Sequence, residues 1–369
     1  MPDRTSPSTV PRAVAGLERP TLKKMSAAEA AAFDALPAEP PARIALSAAD
    51  RAAVKDAVAV TNALMLNALL HRFDPRAYPV GPDASALEKA AIRQVAGLSP
   101  KAFSRLVPGI ARVLGDARSR KRYLGSLADI ELNQADVSGR IAKAMQGRVN
   151  LAAARIPRGE VLSRAAAGAP AGGPNWSALH LQVRAIHCVD ETNPEIGSDD
   201  IVLGGAMIGA SGNVASAKSF VAGEFDDGTR ISYGLKLFGV FSLNSKKDYP
   251  KTYYAVFQLV ESDSDDKEVA AGLTKLVSFI ASVVVGALAT PAVGAIAAGV
   301  VDAIGAFIGL FISDDHFPPW SAWVRQDGPM RFKTNGGVTW DGPESPNLRT
   351  EDIVGHGGRY RIGYRWAMA

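Results

Sequence analysis

The chain has a single cysteine, few histidines and no apolar leader. Cys188 is alone among 369 residues, so an intramolecular disulfide and a zinc site built on cysteines are both excluded. This usage is typical of a protein that resides in a reducing compartment. The first fourteen residues contain three prolines and no apolar run, so a secretory signal peptide is not expected. We predict synthesis in the cytoplasm and, for delivery to a target membrane, a dedicated export route.

Sequence signatures of catalysis are also missing. The chain has no G-x-S-x-G nucleophile elbow, no H-E-x-x-H zinc motif and no G-x-x-x-x-G-K-[ST] phosphate loop. Metal-ligand spacing does not link the five histidines, His71, His180, His187, His316 and His356. Cys188 lies in an apolar segment, which favours a buried small side chain over a nucleophile. We therefore predict a non-enzymatic protein.

Charge is divided unevenly along the chain. Residues 1–174 contain 25 Lys and Arg against 15 Asp and Glu, whereas residues 175–369 contain 16 against 22. The first part therefore carries a net charge of +10 and the second −6, which suggests two units with different partners. Attraction between the two halves explains the division equally well. A charge-free stretch rich in Ala, Gly and Pro, residues 165–176, is the predicted linker.

The apolar pattern over residues 41–164 has a helical period. Ser47 and Asp50 predict a capped helix start, and Ser99 followed by a proline predicts another. We expect four helices, one from residue 47 and the others over residues 84–96, 99–114 and 124–145. A small helical bundle is therefore predicted here. Residues 1–40 are rich in Pro, Ala and Ser and are predicted to be a mobile leader.

After the linker the period changes to that of β-strands. In the last strand Tyr360, Ile362, Tyr364 and Trp366 alternate with polar or small residues, mostly arginines. Such alternation predicts strands with one buried face, and seven or eight short segments of this kind follow the linker. We predict an α+β multidomain protein in which the helical bundle precedes an antiparallel β-sandwich over residues 177–369.

A long apolar segment, residues 269–313, interrupts the predicted sandwich. No formal charge occurs over residues 276–301, and Pro291 divides the segment near its middle. The two predicted helical arms, 269–289 and 292–312, have 21 residues each. At this length each arm spans about 30 Å, which is enough to cross the hydrocarbon core of a bilayer. The segment therefore predicts a hydrophobic helical hairpin.

Small residues along the hairpin would let its arms pack closely in lipid, and Gly305 and Gly309 form a G-x-x-x-G pair. Lys275 and Asp302 oppose permanent spanning, because a central charge costs about 2.5–3.5 kcal/mol. We predict a hairpin that is shielded in a soluble form and inserted on demand. Permanent burial in the sandwich or in an oligomer is the alternative. The candidate membrane-inserting residues are Leu276, Phe279, Ile280, Val284, Pro291, Ile296, Gly299, Ile304, Gly305, Phe307, Gly309 and Phe311.

Acidic loops at predicted strand ends form a second candidate site. Calcium takes six to eight oxygen ligands in flexible geometry, so clustered carboxylates predict calcium binding, although no loop has EF-hand spacing. Solvated acidic turns are the alternative. The candidate ligands are Asp190, Glu191, Glu195, Asp199, Asp200, Asp226, Asp227, Asp314 and Asp315. His316 adjoins the last two and is either a pH sensor or an ordinary surface histidine.

A basic cluster between the third and fourth predicted helices is a candidate anion-binding site. Arg118, Arg120, Lys121 and Arg122 are suited to phosphates of lipid or nucleic acid. A solvated helix end is the alternative. Tyr123 is the one aromatic residue beside the cluster, which disfavours nucleic acid.

The C-terminal half resembles a family of bacterial proteins over about residues 180–367. The shared motifs are C-x-D-E-T-N-P-E from Cys188, F-D-D-G from Phe225, D-D-x-F-P-P from Asp314 and H-G-G-x-Y from His356, followed by Y-x-W from Tyr364. The resemblance implies a β-rich module that contains a Gly/Ala-rich apolar insertion, and it implies no activity. In this chain the insertion is richer in Val and contains Lys275 and Asp302, which argues against an uninterrupted glycine-zipper span.

Two hypotheses follow. In the preferred one, the protein is a toxin-like or effector protein that inserts its hairpin into a membrane under the control of calcium or pH. Several copies would form a pore, since one hairpin cannot enclose a channel, and the N-terminal region would serve docking or delivery. In the alternative, the chain is a soluble interaction module of a larger assembly, and the hairpin stays buried.

Overall fold

A computed structural model describes residues 22–38, 46–149, 176–191, 199–245, 248–261, 267–288, 293–311, 317–355 and 357–369. Within these ranges the chain forms eight α-helices and two antiparallel sheets, and most strands lie in the C-terminal half. The predicted α+β class is confirmed. The predicted linker lies outside the described residues except for Trp176.

The first six helices precede nearly all of the strands. They are α1 (Ala27–Asp34), α2 (Ala48–Phe73), α3 (Ala86–Ala96), α4 (Pro100–Gly115), α5 (Ala117–Leu124) and α6 (Val137–Ala144). The predicted cap of α2 is confirmed, because Asp50 N donates to Ser47 Oγ at 3.0 Å and the Asp50 carboxylate accepts from Ser47 N. The Ser99 cap of α4 is confirmed as well. These serines satisfy backbone N–H groups that lack a partner in the first helical turn.

The fourth predicted helix, over residues 124–145, is wrong in its bounds. The chain leaves α5 at Gly125, where φ is +53°, and passes through a short 3-10 turn, Gly125–Leu127. A helix starts again only after Asp136, whose carboxylate accepts from Gly139 N at 2.9 Å. Apolar spacing alone does not reveal such a break, because both short helices bury residues in the same core.

The five-stranded sheet consists of β1 (Lys23–Lys24), β2 (Ala178–Asp190), β6 (Arg230–Ser242), β11 (Arg349–Gly355) and β12 (Gly358–Met368). Its strand order is β1-β6-β2-β12-β11. The seven-stranded sheet consists of β3 (Asp199–Ile208), β4 (Val214–Ser216), β5 (Phe220–Phe225), β7 (Lys251–Glu261), β8 (Trp320–Gly328), β9 (Arg331–Thr334) and β10 (Thr339–Asp341). Its order is β10-β9-β8-β7-β3-β4, and β5 also pairs with β3.

Side chains from both sheets share one aromatic core. The rings of Phe257 in β7 and Tyr364 in β12 have centroids 5.8 Å apart, and those of Phe225 in β5 and Tyr360 in β12 are 5.7 Å apart. Tyr360, Tyr364 and Trp366 are fully buried, as the alternation along β12 predicts. Aromatic pairs at these separations add to the stabilisation from buried apolar area.

The last two helices, α7 (Lys267–Ala287) and α8 (Val293–Phe311), lie between β7 and β8 in the sequence. They pack on the seven-stranded sheet, whose strands are apolar on both faces. In β3, Ile201 and Leu203 face the aromatic core, whereas Val202 and Ala206 belong to a second core. That second core also contains residues of α2 to α8. The helical region and the insertion, which the sequence divided between two domains, therefore share one apolar core.

Residues 22–38, which we call the strap, differ from the prediction of a mobile leader. Ser26 and Glu29 form a capping box that begins α1, and Phe33 is buried. β1 pairs with the edge strand β6, and the hydroxyl of Thr350 donates to the carbonyl oxygen of Pro37 at 3.0 Å. α1 is Ala-rich and has one large apolar side chain, Phe33, so it is ordered here because the sheet supplies a surface on which it packs.

Candidate functional site

The predicted membrane-inserting residues lie in α7 and α8, and most of them are buried. The helix bounds lie within two residues of the predicted arms. Leu276, Phe279, Ile280, Val284, Ile304 and Phe307 are at most 1% exposed. Gly299 is buried, Ile296 and Gly305 are half-buried, and Gly309 is exposed. Pro291 and the side chain of Phe311 lie outside the described part of the chain.

Two glycines allow the helix pair to approach its neighbours closely. A Cβ atom added to Gly299 would lie 3.1 Å from side-chain atoms of Val284 and Leu288 and 3.4 Å from Val54 of α2. A Cβ atom added to Gly272 would lie 2.9 Å from Leu98 Cδ2. Small residues that the sequence suggested for packing in lipid are therefore already used for packing in the folded protein.

The predicted G-x-x-x-G pair is used differently. A Cβ atom on Gly305 would meet Pro319 at 3.6 Å, and one on Gly309 would meet nothing within 4 Å. Neither glycine is needed for contact between α7 and α8. Both positions near the end of α8 thus leave room for a larger side chain in the folded state.

The charges that oppose permanent spanning both reach the surface. Lys275 of α7 and Asp302 of α8 are exposed, and the residues that follow them, Leu276 and Ala303, are buried. Each helix therefore has its charged side chain at the surface and apolar side chains against the protein.

α2 is an apolar helix that sequence reasoning did not connect with the hairpin. It is the one described helix whose length and composition suffice to span a membrane, and 83% of its apolar window is buried. A core helix of a soluble protein meets the same criterion. Every residue from Ala59 to Leu70 is buried, and the amide groups of Asn62 and Asn67 donate to Tyr123 O and Glu88 Oε1. The charge-free run over residues 57–70 is the feature of the sequence that could have indicated a buried helix here.

The acidic loops are only partly described. Glu191 N donates to Asp227 Oδ1 at 2.7 Å, and Asp199 pairs in register with Phe225, so the two loops adjoin at one end of the strands. In register, Asp190 lies opposite Arg359 and Asp200 opposite Glu224. Among the described residues there is no group of three or more His, Cys, Asp or Glu side chains that could hold a metal ion. Glu195, Asp314 and Asp315 lie outside the described residues.

The basic cluster forms helix α5 rather than a loop between helices. Asp116 caps this helix by accepting from Arg118 N at 3.1 Å and Ser119 N at 2.9 Å. The Arg120 guanidinium donates to the carbonyl oxygens of Ala128 and Ile130, so it holds the following turn in place. Arg118, Lys121 and Arg122 are exposed. The structure therefore assigns Arg120 a structural contact and leaves the other three at the surface.

β11 contains a buried acid, Glu351, that the sequence did not predict. Glu351 lies opposite Ile362 and Arg349 opposite Tyr364, so both charged residues face the core between the sheets. Burial, together with the neighbouring Asp352, raises the pKa of Glu351 to about 8. Glu351 is therefore mostly protonated at neutral pH. A single Glu in a short edge strand has no pattern that would reveal this.

Comparison with known proteins gives no match: neither a protein family, nor a curated protein, nor a solved structure is significantly similar to this chain.

Proposed function

We propose that the protein is a non-enzymatic, membrane-active protein of toxin or effector type. In its soluble form a β-sandwich and the N-terminal helices shield an apolar helical hairpin, α7–α8. On release the hairpin enters a bilayer. The observation that carries the proposal is that this pair has apolar stretches, Lys275–Ala287 and Ile296–Gly309, that are covered from two sides, while Lys275 and Asp302 stay exposed.

The transfer moves the hairpin from one apolar environment to another. Moving it from the protein core into lipid keeps its own apolar surface away from water. The costs are the lost packing around Gly299, the exposure of the apolar faces of α2, α4 and the seven-stranded sheet that covered the hairpin, and the burial of Asp302, which costs about 2.5–3.5 kcal/mol at a bilayer centre. A trigger must therefore offset the exposure of these faces as well as loosen the helical cover.

Calcium and pH are the proposed triggers. The loop that follows Asp190 and the turn at residues 226–228 adjoin through the contact of Glu191 N with Asp227. Carboxylates gathered at one end of the strands would bind calcium or lose charge in acid. Chelator and acidic buffer are therefore included in the functional experiment.

A second candidate function is a soluble interaction module whose hairpin stays buried. The close approach at Gly299 favours it, because packing of α8 against Val284, Leu288 and Val54 is what a permanent core requires. Coverage on two sides also explains an all-round apolar helix without a membrane. The two functions differ in whether the hairpin ever leaves α2 and α4.

A disulfide lock tests this difference. A Cβ atom on Gly272 of α7 would lie 3.7 Å from Ala102 Cβ of α4, which suits a disulfide. Ala102→Cys/Gly272→Cys would therefore tie the hairpin to its helical cover, and the native Cys188 is buried and remote in sequence. Ala102→Ser/Gly272→Ser is the matched control. Dye release from anionic liposomes is measured before and after reduction, with calcium or chelator, at neutral and acidic pH.

We expect the oxidised variant to release no dye and the reduced variant to regain the release seen with the serine control. Equal release by oxidised and reduced protein would show that the hairpin does not need to leave α4. No release by the wild-type protein under any condition, together with no co-flotation with lipid, would eliminate the membrane function and leave the soluble module.

A further inference from the structure

The positive charge of the helical region is concentrated in two adjacent helices. Residues 46–149 contain sixteen Lys and Arg against nine Asp and Glu, a net charge of +7. Residues 100–124, which form α4 and α5, contain seven against one, a net charge of +6. Nearly all of the excess therefore lies in one quarter of the region. Such a field attracts an anionic surface over about one Debye length.

α4 separates its apolar and basic residues on opposite faces. Its buried face consists of Ala102, Leu106, Ile110 and Val113. Its exposed face consists of Lys101, Arg105, Pro108 and Arg112, at spacings of four, three and four residues. This spacing places the exposed residues in one stripe along the helix. Three further exposed cations, Arg118, Lys121 and Arg122, follow in the adjacent helix α5.

The one acid of this segment does not compete for the exposed cations. Asp116 uses both carboxylate oxygens at the start of α5, where Oδ1 accepts from Arg118 N and Oδ2 accepts from Ser119 N and from the Ser119 hydroxyl. A capping carboxylate is held by the helix start. We define the basic face as Lys101, Arg105, Arg112, Arg118, Lys121 and Arg122, all of which are exposed.

The part of the basic face that lies on α4 is close to the buried helix pair. The apolar face of α4 and the residues of α7 and α8 belong to one core, and Gly272 of α7 lies against Leu98 and Ala102 near the start of α4. A surface that docks on Lys101, Arg105 and Arg112 is therefore separated from the pair by a single helix. Leu114, which is 40% exposed at the end of α4, adds an apolar contact beside the cations.

We infer that the basic face docks the protein on the phosphate headgroups of an anionic phospholipid bilayer. This inference deepens the proposed function by naming its partner and orientation, and only the insertion step that follows docking rests on that function. Lipid is favoured over nucleic acid because Tyr123 is the one ring beside the cations of α5, and Arg122 already lies over it at 5.7 Å. Single-stranded nucleic acid would need several exposed rings for base stacking.

The test compares two charge-reversal variants with equal change in net charge. Arg118→Glu/Lys121→Glu/Arg122→Glu changes the basic face, and Arg76→Glu/Arg93→Glu/Lys143→Glu changes exposed cations elsewhere in the helical region. Co-flotation of each full-length protein is measured with phosphatidylcholine vesicles, with and without about 30% phosphatidylserine. Circular dichroism and thermal unfolding establish that each variant is folded.

We expect wild-type protein and the second variant to float with the anionic vesicles and not with neutral ones. The first variant should bind at least about tenfold more weakly, because each basic residue near an anionic surface adds roughly a fivefold gain in affinity. Added salt should weaken the binding of the wild type. Unchanged flotation of the first variant would overturn the inference, as would binding to a nucleic acid duplex without flotation.

Failure of docking and failure of the proposed function have different signatures. Flotation that depends on the basic face but causes no dye release would support docking and contradict insertion. Dye release that is unchanged in Arg118→Glu/Lys121→Glu/Arg122→Glu would support insertion and contradict docking through this face.

Discussion

The ring of Phe33 lies against the backbone of Gly363. A Cβ atom on Gly363 would come 2.5 Å from Phe33 Cε2 and 3.0 Å from Leu348 Cδ2, so a glycine is required at this point of β12. The strap is therefore held by close packing of Phe33 on β12 as well as by polar contacts. Arg361 reinforces the contact, because its guanidinium donates to the carbonyl oxygen of Asp34 at 3.1 Å.

Truncation of Phe33 should detach the strap. Phe33→Ala removes a buried ring at a cost of about 3–5 kcal/mol, so the strap should detach far more often. We expect faster hydrogen exchange over residues 22–38 and faster tryptic cleavage after Lys23 and Lys24. Val354→Ala, at a position 65% exposed, is the control and should change neither. Protection that survives in Phe33→Ala would show that the ring does not hold the strap.

Acid should also loosen the strap. The Asp34 carboxylate accepts from Arg230 Nη2 at 2.6 Å and lies 2.9 Å from His187 Nδ1. Burial lowers the pKa of His187 and the charge of Arg230 lowers it further, against the opposing effect of Asp34. For Asp34, burial acts upward, but the hydrogen bond from Arg230 and the neighbouring positive charges lower its pKa below 3.8. Asp34 thus binds fewer protons when the strap is docked, because Arg230 and His187 lie outside the strap.

The sign of the pH effect follows from the depressed pKa of Asp34. Docking has its full support from this carboxylate above the ordinary aspartate pKa of 3.8 and loses it as the pH falls further and the carboxyl is protonated. Exchange rates of the strap amides, each divided by the rate of an unstructured peptide at the same pH, should therefore rise as the pH falls from neutral to pH 3. Asp34→Asn should remove this rise. A ratio that stays constant over this range would contradict this account.

The buried Glu351 should make the protein less stable in alkali. Its pKa is about 8, above the 4.5 of a free glutamate, so the folded state holds a proton that the unfolded state has lost. Stability should therefore fall as the pH rises from 4.5 to 8. Glu351→Gln keeps a polar side chain and cannot ionise, so we expect it to be more stable than wild type at pH 8 by roughly 1–4 kcal/mol. Denaturant unfolding at acidic and alkaline pH measures the difference, and equal pH profiles of the two proteins would contradict the prediction.

Gly305→Asp should oppose insertion and leave the stability of the soluble state nearly unchanged. In the folded protein the added Cβ atom meets only Pro319, at an ordinary contact distance of 3.6 Å. In a bilayer the carboxylate would cost about 2.5–3.5 kcal/mol. We expect unfolding by denaturant to change by less than about 1 kcal/mol, while dye release from liposomes falls at least tenfold. Gly305→Ser is the control and should retain release. Gly299→Asp is unsuited to this purpose, because it would clash with Val284 and Leu288 in the soluble state.

The sequence predicts local features of this fold better than contacts between distant segments. The caps at Ser47 and Ser99 and the alternation along β12 are local, and all three are confirmed. The folding of α1, by contrast, depends on a distant contact. Its capping box is short, and what holds it is a glycine more than 300 residues away in the sequence, at position 363. No local pattern at Phe33 contains that information.

The candidate site shows the same limit. The bounds of α7 and α8 follow from an uncharged apolar run, so their length could be predicted. The helices that cover them could not be predicted. α2 and α4 are hydrophobic on the faces that contact α7 and α8, and nothing in their sequences identifies these two helices as the partners. Gly272 and Gly299 were interpreted by composition, whereas their packing depends on Leu98, Val54 and Val284. A small residue in the sequence indicates a close contact but does not identify the residue that makes it.

The position of α2 at the centre of the helical core also affects how the protein is made. About 220 residues separate the end of α2 from the start of α8, the helix against which it packs. A ribosome that adds about 5–20 residues per second reaches the start of α8 roughly 10–45 s after α2 has been synthesised. Throughout that interval the nascent chain exposes the charge-free run of α2, residues 57–70, without the segments that cover it in the folded core. The destination of α2 therefore depends on what accompanies the chain during its synthesis.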